Sequence, residues 1–179
     1  DSVVIEQVIH NTITLDLLVV GVVSLDQLHL GSNSFHTVGG AGMYTAIAAQ
    51  SVGASVELFA PRPIRMPSML KQVDDCLDWF GPEVLTDELP RMEITHHGND
   101  VATLNSLEWG AEIKFDPEDL PSDLSGYKMV HLAALSSAER QLHFLEECRS
   151  RGAQLISAGT YSYVVQHEPQ AVLELMKEV

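Results

Sequence analysis

Residues 19–61 read VVGVVSLDQLHLGSNSFHTVGGAGMYTAIAAQSVGASVELFAP. Residues 17–23 form an unbroken, Val-rich apolar run closed by polar residues, the pattern of a strand buried on both faces of a parallel sheet. Asp26 falls just past the expected end of that strand. Residues 25–30 and 35–38 flank the turn signal Gly31-Ser32-Asn33, which predicts a small hairpin. The pair Gly39-Gly40 then opens an Ala-rich stretch of high helix propensity that stops at Gly53, and residues 55–60 return as a second buried strand.

Outward from this stretch, Met69, Leu70, Val73, Leu77 and Phe80 recur at helical spacing after Pro67, predicting a crossover helix. Residues 92–97 and 101–109 flank Gly98-Asn99-Asp100 and predict a second hairpin. Residues 129–134 form a third buried strand. Ser136-Ser137-Ala138-Glu139 has the Ser-x-x-Glu form of a capping box, opening a helix with Leu142, Leu145 and Cys148 inward and Gly152 as its stop. Residues 154–157 give a fourth strand, and residues 169–179 a last helix with Val172, Leu173 and Met176 inward. Strands alternating with helices predict a doubly wound α/β sheet flanked by helices. The two hairpins, at about residues 25–38 and 92–109, are placed together as a small β-layer beyond the strand ends, where open α/β sheets bind ligands. The last predicted helix ends on Val179 with no cap or final strand, so the expectation is one domain of which residues 1–179 are the amino-terminal portion, its carboxyl-terminal part missing.

The chain has 179 residues with a formal net charge of −15, and no Lys or Arg precedes Arg62. Nucleic-acid affinity rests on Lys and Arg neutralising phosphates, so such a partner is excluded, and the first third of the chain favours a neutral, hydroxyl-bearing ligand. The apolar run stops far short of the roughly 20 residues needed to cross a bilayer, and the opening DSVVIEQVIH lacks the basic flank of a signal peptide. Cys76 and Cys148 are too few for a disulfide scaffold and read as buried thiols of a reduced, cytoplasmic protein.

The chemistry-bearing feature is the series Asp26, Gly39, Gly40. Paired glycines let a ligand approach the backbone, free amides at a helix start donate to ligand oxygens, and Asp26 can accept hydrogen bonds from hydroxyls. The residues alone leave open that Gly39-Gly40 is only a tight turn and Asp26 a solvated loop carboxylate.

The segment from Asp16 to Pro61, through Gly21, Asp26, Gly39, Gly40 and Gly42, resembles the amino-terminal part of the ribokinase family, the PfkB-type carbohydrate kinases. The later order is similar too, including a β-lid, the strand KMVHLAAL and the unit QLISAGTYSYVVQHEPQAVLELM. The resemblance implies an ATP- and Mg-dependent kinase that phosphorylates an alcohol of a neutral sugar or nucleoside. It implies that Asp26 binds substrate hydroxyls, that Gly39 and Gly40 form the substrate floor and the hinge of the lid, and that Tyr44 stands where the family has an Asn. Ala158-Gly159-Thr160 replaces a frequent Asp-Pro-Asn. The family's second signature, a Gly-Ala-Gly-Asp that carries the catalytic base and anion hole, is not in the sequence, and neither is a GxxxxGK[ST] loop. Catalytic residues and the nucleotide site are therefore expected beyond Val179, with residues 1–179 alone holding the alcohol without catalysing. The alternative is a non-catalytic ligand-binding or dimerisation module of the same fold. A homodimer through the lid is expected from its exposed edge strands.

Other candidates are weaker. His96-His97 would point to opposite faces of a strand, so the two cannot share a metal, and no metal site is expected. His29 and His36, on the two arms of the first hairpin, are candidates to line a pocket. Ser24, Ser32 and Ser136 lack a GxSxG setting. Asp74-Asp75-Cys76-Leu77-Asp78 reads as the solvated face of the crossover helix, and Glu118-Asp119 as the first turn of a short one. Arg62 and Arg65 suit loop ion pairs, and Trp79 and Trp109 core or lid packing. A dinucleotide-binding Rossmann domain is disfavoured, since the glycines follow a hairpin and do not read GxGxxG.

Overall fold

The computed structural model describes residues 15–179; the opening segment discussed above lies outside them. The apolar run becomes β1 (Leu15–Val20), whose side chains alternate between two cores. Leu18 and Val20 enter one with Phe59, Phe115, Leu132 and Phe144; Val19 enters the other with Met43, Ala46, Leu58 and Leu77. The run is continuous because a central parallel strand has no wet face. Each large apolar side chain so buried stabilises the fold by about 1.5–3 kcal/mol relative to exposure.

β1 ends at Val20 rather than at residue 23, and the chain leaves the sheet through Gly21. The first hairpin follows as β2 (Ser24–Leu30) and β3 (Asn33–Gly39), paired antiparallel with Leu30 opposite Asn33. α1 (Ala41–Ser51) and β4 (Val56–Phe59) follow, with β4 parallel to β1. α1 comes so close to the end of β1 that a Cβ on Gly21 would lie 2.8 Å from the Cα of Gly42.

The crossover helix is the main correction. After a two-residue strand, β5 (Arg62–Pro63), residues 68–70 make a 3₁₀ turn, and only α2 (Lys71–Cys76) is α-helical. Leu77 is extended, and β6 (Asp78–Phe80) pairs in parallel with β4 as the edge of the central sheet. Leu77 and Trp79 are buried, and the Trp79 indole N–H donates to the Ala60 carbonyl at 3.2 Å. The same residues satisfy a helical spacing and a strand alternation, and the non-local pairing with β4 decides between them. Cys76, expected inside, is exposed. Asp74 of the acidic run takes Arg62 at 2.7 Å, the loop ion pair expected of that arginine, whereas Arg65 has no ion pair among the described residues. Cys148 is buried, and burial pushes its thiol up to about 12, which makes it an inert core residue.

β7 (Glu83–Val84) pairs with β5. β8 (Arg91–Gly98) and β9 (Val101–Glu108) form the second hairpin, turning at Asn99 and Asp100 with φ of 50° and 61°. A 3₁₀ turn at Pro117–Asp119 carries Glu118 and Asp119 in its first turn, as expected. β10 (Tyr127–Leu132), α3 (Ala138–Ser150), β11 (Ile156–Ala158), α4 (Ser162–His167) and α5 (Pro169–Glu178) complete the order. The N-cap of α3 is Ser137, whose hydroxyl accepts from the Arg140 amide at 3.2 Å, not Ser136 as the capping box predicts. In α5, Val172 and Leu175 are buried, while Leu173 and Met176 face outward, against expectation.

The central sheet runs β11-β10-β1-β4-β6, all parallel, and the hairpins assemble into a second sheet of order β3-β2-β8-β9. This is the doubly wound α/β architecture with an added β-layer. The first hairpin follows directly on the carboxyl end of β1, the edge where parallel sheets collect ligands. Among the described residues, no helix is long and apolar enough to cross a membrane.

Candidate functional site

Asp26 lies beyond the end of β1, as expected, but it is not a solvated loop carboxylate. It sits within β2 opposite Thr37, only 7% exposed, and its Oδ1 accepts from the Met92 amide of β8 at 3.1 Å. Gly39 has no side chain because none fits: a Cβ there would lie 2.0 Å from Asp26 Oδ2. Burial pushes the Asp26 carboxyl above its ordinary value, opposed by the neighbouring Ser24 hydroxyl and the Met92 amide. The folded chain therefore holds this proton to higher pH than the unfolded chain does. The associated stability is present at low pH and is lost as pH rises through the folded-state value. An ionised Asp26 at neutral pH is thus a cost to folding.

The carboxylate lies at a cavity of about 410 Å³ between the second sheet and the start of α1. Leu28, Met92, Ile94 and His96 line it from β2 and β8, and Gly40, Ala41 and Tyr44 from the helix start. Tyr161, just before α4, lines it as well. Gly40 holds φ at 104°, and a Cβ there would lie 2.3 Å from the Val22 carbonyl oxygen. Tyr44 is 59% exposed, and its hydroxyl donates to the Val38 carbonyl at 3.1 Å. Tyr161 stands beside Trp109, ring centroids 6.3 Å apart, so Trp109 packs at the cavity rim while Trp79 belongs to the core. Burial, with Glu112 and Asp26 nearby, pushes the Tyr161 phenol up to about 12, so it stays a neutral donor at physiological pH.

Behind this wall lies a buried charge cluster. The Glu112 carboxylate, fully buried, accepts from the Ser136 amide and hydroxyl, both at 2.9 Å, and from Arg140 Nε at 3.0 Å. Arg140 also donates to the carbonyls of Glu112 and Phe115. The cluster ties the turn after β9 to the start of α3. Ser136 is thus a partner of Glu112 rather than a helix cap.

The histidines divide differently from expectation. His96 and His97 do point apart: His96 lines the cavity, and His97 bonds Thr103 at 2.8 Å. His29 is engaged by Glu93 at 2.7 Å and Ser34 at 2.8 Å on the far face of β2. His36 does line a pocket as expected, a second hollow of about 260 Å³ that Asp26, Gln27, Arg91, Met92 and Glu93 also border. Neither His29 nor His36 lines the larger cavity of about 410 Å³, because alternation along β2 and β3 puts both on the sheet face opposite Leu28. The sequence reading missed Met92, Ile94, His96 and Tyr161 as cavity residues. For Tyr161 the only signal was its place just after the fourth predicted strand, at the ligand-binding end of the sheet. Among the described residues, no group of three or more His, Cys, Asp or Glu side chains can hold a metal ion.

No protein-family model and no curated protein matches this sequence. Solved structures do. A probable sugar kinase from Rhizobium etli superposes with a TM-score of 0.73 at 14% identity, over 91% of this chain and 61% of that one. Ribokinase from Giardia lamblia gives 0.69 at 14% identity, over 90% and 56%. Adenosine kinase from Anopheles gambiae, in complex with P1,P4-di(adenosine-5) tetraphosphate, gives 0.70 at 14% identity, over 91% and 62%. The chain thus spans about three-fifths of the length of these structures. With its five-stranded parallel sheet, its added four-stranded sheet and the cavity between that sheet and α1, the chain carries the fold of the ribokinase family of sugar and nucleoside kinases.

Proposed function

We propose that this chain is the substrate-binding part of a cytoplasmic ATP-dependent kinase that transfers a phosphoryl group to an alcohol of a neutral sugar or nucleoside-like molecule. The observation that carries the reading is Asp26, a buried carboxylate kept at a cost to stability, facing a cavity at the ligand-binding edge of a sugar- and nucleoside-kinase fold. Asp26 accepts hydrogen bonds from the substrate hydroxyls. Gly40 forms the floor, Gly39 leaves room for the Asp26 carboxylate beside it, and the second sheet is the lid that excludes water. The alcohol is held by a fixed acceptor rather than by solvent, which supplies the positioning that phosphoryl transfer depends on.

Among the described residues, no cluster of His, Cys, Asp or Glu suits a divalent cation, and no Lys or Arg lines the cavity to meet a nucleotide's phosphates. ATP, Mg and the catalytic base are assigned to the part of the fold that the matched structures have outside the span this chain covers. The lid exposes Leu30, Phe35, Val101 and Leu104, a surface suited to a homodimer through the lid.

The test is ADP release by the full-length protein across sugars and nucleosides, with Asp26→Asn in parallel. A hydrogen bond to a charged group contributes about 1.5–3 kcal/mol, so the variant is expected to lose roughly 10- to 150-fold in kcat/KM. Its folding stability at neutral pH should equal or exceed the parent's, because the buried charge is removed while an oxygen remains for the Met92 amide. Turnover unchanged in Asp26→Asn removes the assignment. Ligand binding without ADP release favours the non-catalytic module.

A further inference from the structure

The cavity is short of partners for a polyol. Asp26, His96 and Tyr161 are its side chains left to meet ligand hydroxyls, since the Thr37 and Tyr44 hydroxyls both donate to the Val38 carbonyl. Leu28, Ala41, Met92 and Ile94 supply apolar surface. A ligand hydroxyl pressed against such surface loses its water without gaining a partner, at a cost comparable to a lost hydrogen bond. A molecule bearing hydroxyls all round is therefore poorly matched to these walls.

Two rings are held in place from outside the cavity. Tyr44 is fixed at its hydroxyl by Val38, and Tyr161 stands beside Trp109. Both rings are thus positioned before any ligand arrives, so stacking on them costs little further ordering. Tyr44 remains 59% exposed, more than its anchored hydroxyl would lead one to expect, and that exposed ring face borders the cavity.

We infer that the substrate of this cavity is an alcohol carrying a flat, weakly polar ring beside its hydroxyl-bearing part, with Asp26 taking the hydroxyls and Tyr44 and Tyr161 the ring. The inference deepens the alcohol-kinase reading above and rests on it. Tyr44 is on this account a specificity-determining residue: it sets which alcohols bind, not whether an alcohol binds.

The test uses the full-length protein and a matched pair, methyl and phenyl β-D-ribofuranoside, which carry the same free hydroxyls and differ in the ring. Dissociation constants by calorimetry are expected to favour the phenyl glycoside by roughly tenfold. Tyr44→Ala, at an exposed helix position, should bring the two to near parity by weakening the phenyl glycoside alone. Tyr44→Phe should keep the preference. Asp26→Asn should weaken both glycosides by the same factor. Equal binding of the pair by the parent protein, or a preference untouched by Tyr44→Ala, overturns the ring assignment. In that event, a parallel loss in Asp26→Asn leaves the alcohol site standing. Binding of neither glycoside overturns both readings.

Discussion

Replacing Arg140 by alanine is expected to destabilise the fold by about 3–5 kcal/mol, because it leaves a buried carboxylate without its cation. Glu112 is fully buried, and its three side-chain hydrogen bonds come from Arg140 and from the amide and hydroxyl of Ser136. Arg140 further satisfies the carbonyls of Glu112, Ile113 and Phe115, so its loss also strands backbone acceptors. The pH dependence fixes the cause. Burial pushes the Glu112 carboxyl above its ordinary value even with Ser136 and Arg140 opposing it, and removing Arg140 raises it further. A carboxyl raised in the folded state contributes stability that is present at low pH and lost as pH rises through the folded value. The deficit of Arg140→Ala should therefore be largest at neutral pH and shrink toward the ordinary Glu range near about 4.3. Urea unfolding of the parent, Arg140→Ala and Arg140→Ala/Glu112→Gln at both pH values measures this. The double variant should recover part of the loss at neutral pH. A deficit under about 1 kcal/mol, or one that ignores pH, would mean that the pair is an ordinary surface contact.

The adjacent glycines are expected to fail in different ways when given a methyl group. At Gly40, φ of 104° is a conformation that side chains rarely adopt, and the new Cβ would meet backbone, the Val22 carbonyl oxygen at 2.3 Å. Backbone strain and overpacking together put the cost of Gly40→Ala at roughly 2–6 kcal/mol. At Gly39 the obstacle is the Asp26 carboxylate at 2.0 Å, a side-chain end that can swing away. Gly39→Ala should thus cost only about 1–3 kcal/mol in stability. It should still abolish alcohol binding at least as far as Asp26→Asn does, because the displaced carboxylate no longer faces the cavity. Calorimetric titration alongside denaturant melts separates the two effects. Adding Gly39→Ala to Asp26→Asn should cost little further affinity, since both act through one group. A Gly39→Ala protein that binds normally would show that the carboxylate's position does not matter.

Legibility followed locality. The buried run, the hairpin turning at Gly31-Ser32 and the Ala-rich helix each rest on residues close in sequence, and all three form, although β1 ends at Val20 instead of running to residue 23. The stretch after Pro67 misleads because Leu77 and Phe80 fit a helical spacing equally well, and only pairing with β4 draws residues 78–80 into the sheet. Leu173 and Met176 mislead similarly, since both they and Leu175 fit an apolar helix face and docking against the core selects Val172 and Leu175.

The candidate site divides along the same line. By itself the sequence determined the parallel α/β plan, the two hairpins, and Asp26, Gly39 and Gly40 as neighbours, because strand alternation, helix propensity and glycine conformation act over a few residues. Only the tertiary structure decided that Asp26 is buried, that the Met92 amide from 66 positions away completes its bonding, and that Tyr161 and His96 close the cavity while His29 and His36 turn from it. The physical reason is that desolvation and enclosure belong to no single segment: they arise when a second sheet, a helix start and a distant loop exclude water from the same carboxylate.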